Sequence, residues 1–250
     1  MITTGNTILI TGGATGIGFA LAKQFAEKGN QVIICGRREH KLQEAKEKIP
    51  SLHTRVCDVS KESERIELFR WATSIFKELN VVINNAGIQR DVNFLGTQED
   101  WSKMREEIAI NVEAPMHLCS LFIPHMLNAE NPVIVNVSSG LAFTPMSLFP
   151  VYCATKAAIH SFSLTLRHQL EKTNIRVYEV VPPAVDSELN YEGRKKRGAL
   201  KTGVTSEEFA HAVMDGFESG KLEIGYGNAE TGRMASRAQL DEIFKRMNHL

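Results

Sequence analysis

A tyrosine and a lysine stand four residues apart in the segment Tyr152-Cys153-Ala154-Thr155-Lys156. On an α-helix this spacing places Tyr152 and Lys156 on the same face. A tyrosine with a pKa of about 10 accepts protons poorly at neutral pH, but a nearby ammonium stabilises its phenolate form. The pair therefore predicts a site that handles protons. The same spacing also fits an exposed tyrosine beside a solvated lysine, so the pair needs support from the rest of the chain.

A glycine-rich segment, Thr11-Gly12-Gly13-Ala14-Thr15-Gly16-Ile17-Gly18, has the composition of a phosphate-binding loop. It follows a short apolar run and precedes an amphipathic stretch. Glycines in this place allow a tight turn, a close approach of the backbone to a pyrophosphate and close packing of the next helix. The unpaired N–H groups at the start of that helix favour an anion. We predict contacts to a dinucleotide at Gly12, Thr15, Gly16, Ile17 and Gly18.

Two arginines follow the second predicted strand, in the sequence Cys35-Gly36-Arg37-Arg38. An NAD site usually carries a carboxylate here, which binds the ribose diol of the adenosine. A guanidinium binds a 2′-phosphate with paired hydrogen bonds and gives a diol little. We therefore predict a preference for NADP(H), with Arg37 as the main contact, Arg38 as the second, and NAD(H) as the alternative cofactor. The alternative is that neither arginine contacts a cofactor and that both only begin a solvated helix.

Short polar segments follow the third and fourth predicted strands. Asp58 would accept a hydrogen bond from the adenine amine, or cap the helix that begins near Ser60. The fourth strand ends in Asn84-Asn85-Ala86-Gly87, whose small residues and amides suit a backbone that lies against a cofactor. We assign to the cofactor site Asp58, Val59, Asn85, Ala86 and Gly87.

Strands and helices that would carry these residues alternate along the chain. Solid apolar runs, which are typical of a parallel sheet covered on both faces, occur at residues 7–10, 32–35, 53–56, 81–83, 133–137 and 175–181. Amphipathic segments that predict helices occur at residues 17–27, 39–48, 61–76, 99–126 and 151–171. Short helices at 206–217 and 235–247 and a strand at 222–225 complete the pattern. It predicts an α/β fold, a single-domain Rossmann fold over residues 1–250, with a doubly wound, mostly parallel sheet of about seven strands.

Composition excludes several classes of protein. The formal net charge of zero gives no field to gather nucleic acid or an anionic membrane surface. Signal-peptide features and apolar runs of membrane-spanning length are absent from the sequence, which predicts a cytoplasmic protein. The four cysteines are widely spaced and form no metal-binding pattern, so we predict free thiols and no metal site.

Together, the motifs TGGATGIG and NNAG, Asn111, Ser139 and the Tyr152–Lys156 pair resemble the short-chain dehydrogenases/reductases, in their compact single-domain branch. The resemblance implies an NAD(P)(H)-dependent oxidoreductase that moves hydride between nicotinamide and a carbonyl or secondary alcohol carbon. It implies a catalytic tetrad in which Tyr152 is the general acid/base and Ser139 holds the substrate oxygen. Lys156 would lower the tyrosine pKa and bind the nicotinamide ribose, and Asn111 would hold, through its carbonyl, a water that links Lys156 to solvent. Ser138 is the weaker candidate for the serine.

Pro115 lies four residues after Asn111. Because proline has no N–H, the Asn111 carbonyl loses its usual helical partner, and the helix should kink there. We expect this to free the carbonyl for the proton relay.

The sixth strand is followed by Pro182-Pro183-Ala184-Val185-Asp186-Ser187. The resemblance implies cofactor contacts at Pro182, Val185 and Ser187. Pro183 stands where the family usually has glycine, which stiffens the turn. This stretch and the ending Phe244-Lys245-Arg246-Met247-Asn248 resemble a subgroup of bacterial oxidoreductases, some encoded beside genes for teichoic acid D-alanylation.

The mainly polar segment 186–204 is too long for a simple connection between two elements, and it predicts a substrate lid. Its basic run, residues 194–197, fits a solvated lid better than an anchor for an anionic partner. The apolar residues Leu141, Phe143, Phe149, Leu189 and Tyr191 predict a pocket for a small hydrophobic carbonyl or alcohol, and Gln89 and Arg90 could add a polar anchor. The long helices predict a homodimer, with a tetramer as the alternative.

Three other functions are less well supported. A sugar epimerase or dehydratase of this type generally has a longer chain. A non-catalytic NADPH-sensing or interaction protein should have lost a member of the tetrad, but all four residues are present. A DNA-binding protein is disfavoured by the neutral charge.

Overall fold

Runs of apolar residues form a central sheet that is covered on both faces. The computed structural model describes residues 1–96, 100–199 and 203–248. Its strands are β1 (Thr7–Thr11), β2 (Gln31–Gly36), β3 (His53–Val56), β4 (Leu79–Asn84), β5 (Val133–Val137), β6 (Arg176–Val181), β7 (Val185–Asp186), β8 (Val204–Thr205) and β9 (Glu223–Gly225). β1, β4 and β5 are buried along their whole length, as expected for strands with helices on both sides.

Seven of these strands form one parallel sheet in the order β3-β2-β1-β4-β5-β6-β9. The predicted doubly wound sheet of about seven strands is confirmed, and the strand predicted at 222–225 extends its edge as β9. The order reverses between β1 and β4, which opens a crevice at the carboxyl ends of the strands.

The helices are α1 (Gly16–Glu27), α2 (Glu39–Lys48), α3 (Glu62–Ile75), α4 (Trp101–Ile108), α5 (Ala114–Met126), α6 (Pro150–Gln169), α7 (Tyr191–Lys196), α8 (Ser206–Glu218), α9 (Asn228–Met234) and α10 (Arg237–Met247). One face of the sheet packs against α1, α2 and α8, and the other packs against α3, α5 and α6. Among the described residues, no helix is long and apolar enough to cross a membrane.

Helix α8 closes the core over α1, although the two lie far apart in sequence. The rings of Phe25 and Phe217 lie 6.2 Å apart between centroids. At the edge of this contact, Lys28 Nζ donates to Glu218 Oε1 at 2.8 Å. The hydrophobic face of α1 is therefore covered by a helix from the last quarter of the chain.

The helix predicted at residues 99–126 is divided in the structure, and residue 99 lies outside the described residues. A π-helical turn (Ala109–Glu113) separates α4 from α5, and Pro115 lies in the first turn of α5. The irregularity predicted from Pro115 is thus present as a π turn, because proline supplies no N–H to the preceding turn. The helix predicted at 235–247 is present as α10, and the sequence missed the short helix α9 that precedes it.

The predicted lid, residues 186–204, contains part of β7, helix α7 and Val204 of β8, and β7 pairs with β8 in parallel. Residues 200–202 lie outside the described residues. We call residues 186–199 the lid segment.

Candidate active site

A cavity of about 1070 Å³ opens at the carboxyl ends of the sheet strands. Three of the predicted tetrad residues line it, namely Ser139, Tyr152 and Lys156. So do all the predicted cofactor residues except Gly18, namely Gly12, Thr15, Gly16, Ile17, Arg37, Arg38, Asp58, Val59, Asn85, Ala86, Gly87, Tyr152, Lys156, Pro182, Val185 and Ser187. A smaller hollow of about 320 Å³ beside α2 and β3 contains none of the predicted residues. The fold therefore brings the sequence-predicted site residues together at one edge of the sheet.

Residues 11–18, which we call the phosphate loop, are fixed by hydrogen bonds to the segment after β4. Thr11 Oγ1 accepts from the backbone N–H groups of Asn85 and Ala86, each at 3.0 Å. The Asn85 amide donates to the Thr11 and Gly12 carbonyl oxygens at 2.9 and 3.1 Å. A Cβ atom on Gly18 would lie 2.4 Å from both the Asn85 Nδ2 and the Gly12 oxygen. Gly18 thus permits close packing of α1 behind the loop and does not line the cavity.

The start of α1 offers an anion-binding site to the cavity. Thr15 is the N-cap residue, yet its side chain makes no capping hydrogen bond, and the first turn has no acidic residue. Gly16 and Ile17 of this first turn line the cavity. Backbone N–H groups at a helix start that no side chain caps are suited to a pyrophosphate. The residues present therefore fit a dinucleotide.

Both arginines after β2 stand at the rim of the cavity, about half exposed, and both are paired. Arg37 binds Glu106 at 2.8 Å. Arg38 binds Glu188 of the lid segment at 2.6 Å and donates to Thr15 Oγ1 at 3.3 Å. A 2′-phosphate at this rim would therefore compete with carboxylates for the guanidinium groups.

Asp58 lines the cavity and also makes hydrogen bonds within the chain ahead of α3. Its Oδ1 accepts from the N–H of Ser60 at 3.0 Å and from the Ser60 hydroxyl at 2.8 Å. These bonds form a turn ahead of α3 and do not cap it, because the N-cap residue of α3 is Lys61 and no side chain caps that helix. Asp58 lines the cavity beside Val59, and its contact with a cofactor stays a prediction.

Tyr152, Ser139 and Lys156 form a buried group at the cavity wall, each less than a tenth exposed. The Ser139 hydroxyl is hydrogen-bonded to the Tyr152 hydroxyl. Ser139 Oγ also accepts from the Leu141 N–H at 3.1 Å, which fixes the serine at the start of a 3₁₀ turn (Gly140–Ala142). Lys156 Nζ donates to the Val137 carbonyl at 2.9 Å and lies 5.6 Å from the centre of the Tyr152 ring. One helix, α6, therefore presents the tyrosine and the lysine, and the end of β5 presents the serine.

Burial is the main cause of the shifted pKa values of Tyr152 and Lys156. It raises the pKa of Tyr152 well above its usual value, while the Ser139 hydrogen bond lowers this pKa. Burial lowers the pKa of Lys156 to about 8, against the opposing effect of the Glu107 and Glu179 carboxylates. The sequence led us to expect a lowered tyrosine pKa, but Lys156 points its ammonium at Val137. In this arrangement, Tyr152 is held as a proton donor.

Asn111, the fourth tetrad residue, lies in the π turn behind the cavity wall. Its side chain donates to the Ile88 oxygen and accepts from the Ile88 N–H, both at 2.9 Å, and also donates to Thr155 Oγ1 at 3.1 Å. The side chain is therefore occupied in tying the segment after β4 to α6. The Asn111 carbonyl cannot bond to Pro115, which has no N–H, and the relay role expected of this carbonyl stays a prediction.

Two buried carboxylates near Lys156 were not identified from the sequence. Glu179 of β6 accepts from the Ser138 hydroxyl at 2.5 Å and is bound by His160 Nδ1 at 2.8 Å. The Ser138 hydroxyl therefore already has a partner in Glu179, which agrees with Ser138 being the weaker candidate for the catalytic serine. Glu107 of α4 is fully buried, yet neither of its carboxylate oxygens has a hydrogen-bond partner. Glu107 lies in an amphipathic segment, where acidic residues resemble solvated positions, so only the fold shows its burial. Glu179 lies inside the strand predicted at residues 175–181, and its burial follows from that strand.

The lid segment crosses the cavity and is tied mainly by charged side chains. Arg194 is buried and pairs with Asp186 at 3.6 Å. Arg197 and Asn190 both bind Asp91, the latter at 2.7 Å. A Cβ atom on Gly16 would lie 3.1 Å from Ser187 Cβ, so the segment touches the phosphate loop.

Residues predicted for the substrate pocket line the same cavity, whose lining is largely apolar. It includes Leu141, Phe149, Leu189 and Tyr191, with Gln89 and Arg90 at its polar edge. Phe143 is the exception, because its ring packs against His160 with centroids 4.5 Å apart. The sequence missed the contribution of α9 and α10, which add Asn228, Ala229, Thr231, Ile243, Arg246 and Met247.

A family model described as short chain dehydrogenase matches residues 6–198. Over 245 residues the chain is 49% identical to a Bacillus subtilis (strain 168) protein named uncharacterized oxidoreductase DltE, with 98% of this chain and 97% of the relative covered.

Two solved structures share the fold. One is a short chain dehydrogenase/reductase from Burkholderia phymatum in complex with NAD, with a TM-score of 0.84, 20% identity, and 97% of this chain and 96% of the other covered. The other is a short-chain dehydrogenase from Sphingobium yanoikuyae in complex with NADPH, with a TM-score of 0.79, 23% identity, and 95% and 92% covered.

Proposed function

Because the chain belongs to the short chain dehydrogenase family, we propose that it transfers hydride between a nicotinamide dinucleotide and a carbonyl or secondary alcohol carbon. The observation that carries this proposal is the buried group of Tyr152, Ser139 and Lys156 on the wall of the large cavity. The 49% identity to DltE confirms the likeness to the bacterial oxidoreductase subgroup.

When bound, the nicotinamide supplies or accepts the hydride. The chain's own task is to hold the substrate oxygen and move a proton. Ser139 binds the oxygen, and Tyr152 donates its proton to it during reduction or accepts one during oxidation. Lys156 carries a positive charge at neutral pH, since its pKa is about 8, and favours the phenolate when the proton has left. The Asn111 carbonyl holds the water from which the proton is replaced.

NADP(H) is the cofactor we propose, with NAD(H) as the alternative. Arg37 and Arg38 at the rim support it, because a bound 2′-phosphate is a stronger partner for a guanidinium than a half-exposed carboxylate. The phosphate loop would bind the pyrophosphate that both cofactors share. The preference for NADP(H) would therefore come from the two arginines. The apolar lining supports a small hydrophobic carbonyl or alcohol as the substrate.

A cytoplasmic homodimer is the form we propose. The four cysteines are free and buried, which suits a reducing compartment. Trp101 and Ile108 of α4 and Leu164 of α6 are 56%, 38% and 40% exposed, and a second copy packed on these helices would cover them. A single monomeric species in sedimentation would exclude the dimer.

The proposal is tested by following NADPH absorbance with a panel of ketones, aldehydes and secondary alcohols. We expect turnover by the wild type and a loss of about 10²–10⁴-fold in kcat for Tyr152→Phe, which keeps the ring and removes the proton. NADPH affinity of the variant, measured by fluorescence, should stay within about twofold, because phenylalanine keeps the ring and every other predicted cofactor residue is unchanged. Turnover retained by Tyr152→Phe would refute the assigned role.

The second candidate is a non-catalytic NADPH sensor. We would adopt it if NADPH binds without turnover on any member of the panel. That result would replace the enzyme proposal with this one.

A further inference from the structure

Arg65 of α3 is a buried cation that the proposed reaction does not use. Its side chain is 1% exposed, although a guanidinium is costly to remove from water. An apolar side chain in its place would join α3 to α5 as well, since Phe69 and Phe122 already pack there with ring centroids 5.1 Å apart. A guanidinium adds directed hydrogen bonds to that packing. The partners of those bonds therefore indicate its role.

The guanidinium binds three partners on three segments of the chain. Nη1 donates to the carbonyl oxygen of Val59, after β3, at 2.7 Å. Nη2 donates at 2.5 Å to Oε1 of Glu113, the last residue of the π turn. Nε donates at 2.9 Å to Nδ1 of His117 on α5. A single buried side chain thus joins the segment after β3 to the π turn and to α5.

Two of these partners adjoin the candidate site. Val59 is a predicted cofactor residue and lines the cavity, whereas Arg65 does not line it. Glu113 stands two residues after Asn111 in the same π turn, and the Asn111 side chain binds Ile88. The bonds of Arg65 therefore connect, behind the cavity wall, the predicted adenosine end of the site to the turn that carries Asn111.

We propose that Arg65 is a positioning residue that holds the Val59 carbonyl and the π turn in one arrangement, and so fixes the cofactor wall and Asn111 relative to each other. The consequence for turnover rests on the proposed function. The effect on the geometry of the wall and of the turn stands apart from it, because it needs no substrate.

The cost of leaving a buried cation short of a partner opposes movement at both ends of this connection. The Val59 carbonyl cannot rotate towards the cavity without breaking its bond to Arg65. Likewise, the π turn cannot shift without drawing Glu113 away from the guanidinium. Reacting groups must be held within narrow limits of distance and angle, and buried supporting bonds of this kind provide such limits.

The deciding experiment compares Arg65→Met, which fills similar space without hydrogen bonds, with Arg70→Met, the same substitution at an exposed position of α3. The probe is ADP-ribose, which contains the adenosine and pyrophosphate common to both cofactors, and its affinity is measured by calorimetry. We expect its Kd to rise about three- to tenfold in Arg65→Met and to stay unchanged in Arg70→Met. Arg65→Lys, which keeps the charge but not the planar set of donors, should recover part of the affinity.

The π turn is followed in protein labelled with ¹⁵N at asparagine, with the side-chain amide signal of Asn111 assigned through Asn111→Asp. Arg65→Met and Glu113→Ala should both shift this signal, because each releases the π turn from α3. Glu113→Ala should leave the ADP-ribose affinity unchanged, since Val59 keeps its bond. With an active substrate, both variants should lower kcat about tenfold. A role in stability alone would not separate the two readouts in this way.

Either an unchanged ADP-ribose affinity or an unshifted Asn111 signal in folded Arg65→Met overturns the proposal. Should that variant not fold, the same two readouts on Arg65→Lys decide, with smaller changes of the same sign expected. Absence of turnover in the wild type, with both readouts changed in the variant, would refute the proposed function alone. Turnover in the wild type, with either readout unchanged in the variant, would refute this inference alone.

Discussion

The phosphate loop and the lid segment meet at Gly16 and Ser187, yet they are held in different ways. The loop is fixed by short side chains, chiefly the buried Thr11 and the half-buried Asn85, whose bonds go to backbone atoms. The lid segment is fixed by long charged side chains, such as Arg197 on Asp91 and Arg38 on Glu188.

This difference separates a rigid platform from a segment that we propose acts as an adjustable cover. Short, closely packed contacts to backbone atoms resist a change of shape. Partly exposed ion pairs contribute little stability and exchange readily with water and salt. We expect the loop to tolerate no added volume, and the lid segment to respond to charge and ionic strength.

The largest effect is expected for Gly18→Ala. Its new methyl group would lie 2.4 Å from the Gly12 carbonyl oxygen, which must then move with the phosphate loop. We expect a loss of about 1–3 kcal/mol in unfolding free energy and at least about tenfold weaker NADPH binding. Thermal denaturation and NADPH fluorescence measure the two effects.

Gly87→Ala is the matched variant, because its methyl group would meet Asn111 and Lys156 at 3.4 and 3.5 Å, which is ordinary contact. Its melting temperature should stay close to that of the wild type. If Gly18→Ala bound NADPH as well as the wild type, the platform would not be rigid.

A smaller effect is expected for Arg37→Ala, which tests the rim between the two regions. Loss of a charged hydrogen bond to a 2′-phosphate costs about 1.5–3 kcal/mol, so NADPH should bind about 10–100-fold more weakly. NADH affinity is the internal control and should not fall.

Arg38→Ala should weaken NADPH binding less than Arg37→Ala and also loosen Glu188 of the lid segment. Equal losses for NADH and NADPH in both variants would contradict the proposed cofactor preference.

The smallest effect is expected for Asp91→Asn, which removes the charge bound by Arg197. Because such a pair is worth about 0.2–1 kcal/mol, we expect KM to rise about two- to fivefold with little change in kcat. Raising the salt concentration should reduce the difference from wild type. Glu27→Gln, which breaks an exposed pair on α1, is the control and should match wild type. A large fall in kcat would show that the lid segment is part of the rigid platform.

The same contrast explains what the sequence could predict. The phosphate loop depends on local backbone requirements, which Gly12, Gly16 and Gly18 display directly in the sequence. The ties of the lid segment join distant residues, since Arg197 and Asp91 stand 106 positions apart. Charge alone does not choose among many such partners.

The candidate catalytic side chains were recognised from residue type and spacing, but their electrostatic surroundings could not be predicted. Pro115 indicated an irregular helix at Asn111, although its form as a π turn depends on packing against α6. Glu107 lies in a charged stretch, and nothing local distinguishes it from more exposed neighbours such as Arg105 and Glu106. Burial is a property of the whole fold, which is why this residue emerged only from the structure.

The packing of α8 on α1 also sets an order of events during synthesis. The two helices are separated by about 180 residues, which a ribosome adds in roughly 10–40 s at about 5–20 residues per second. Throughout that interval, Leu21 and Phe25 have no α8 to cover them. The nascent chain thus carries an uncovered apolar surface until its last quarter emerges, and chaperones that bind such surfaces have that interval in which to act.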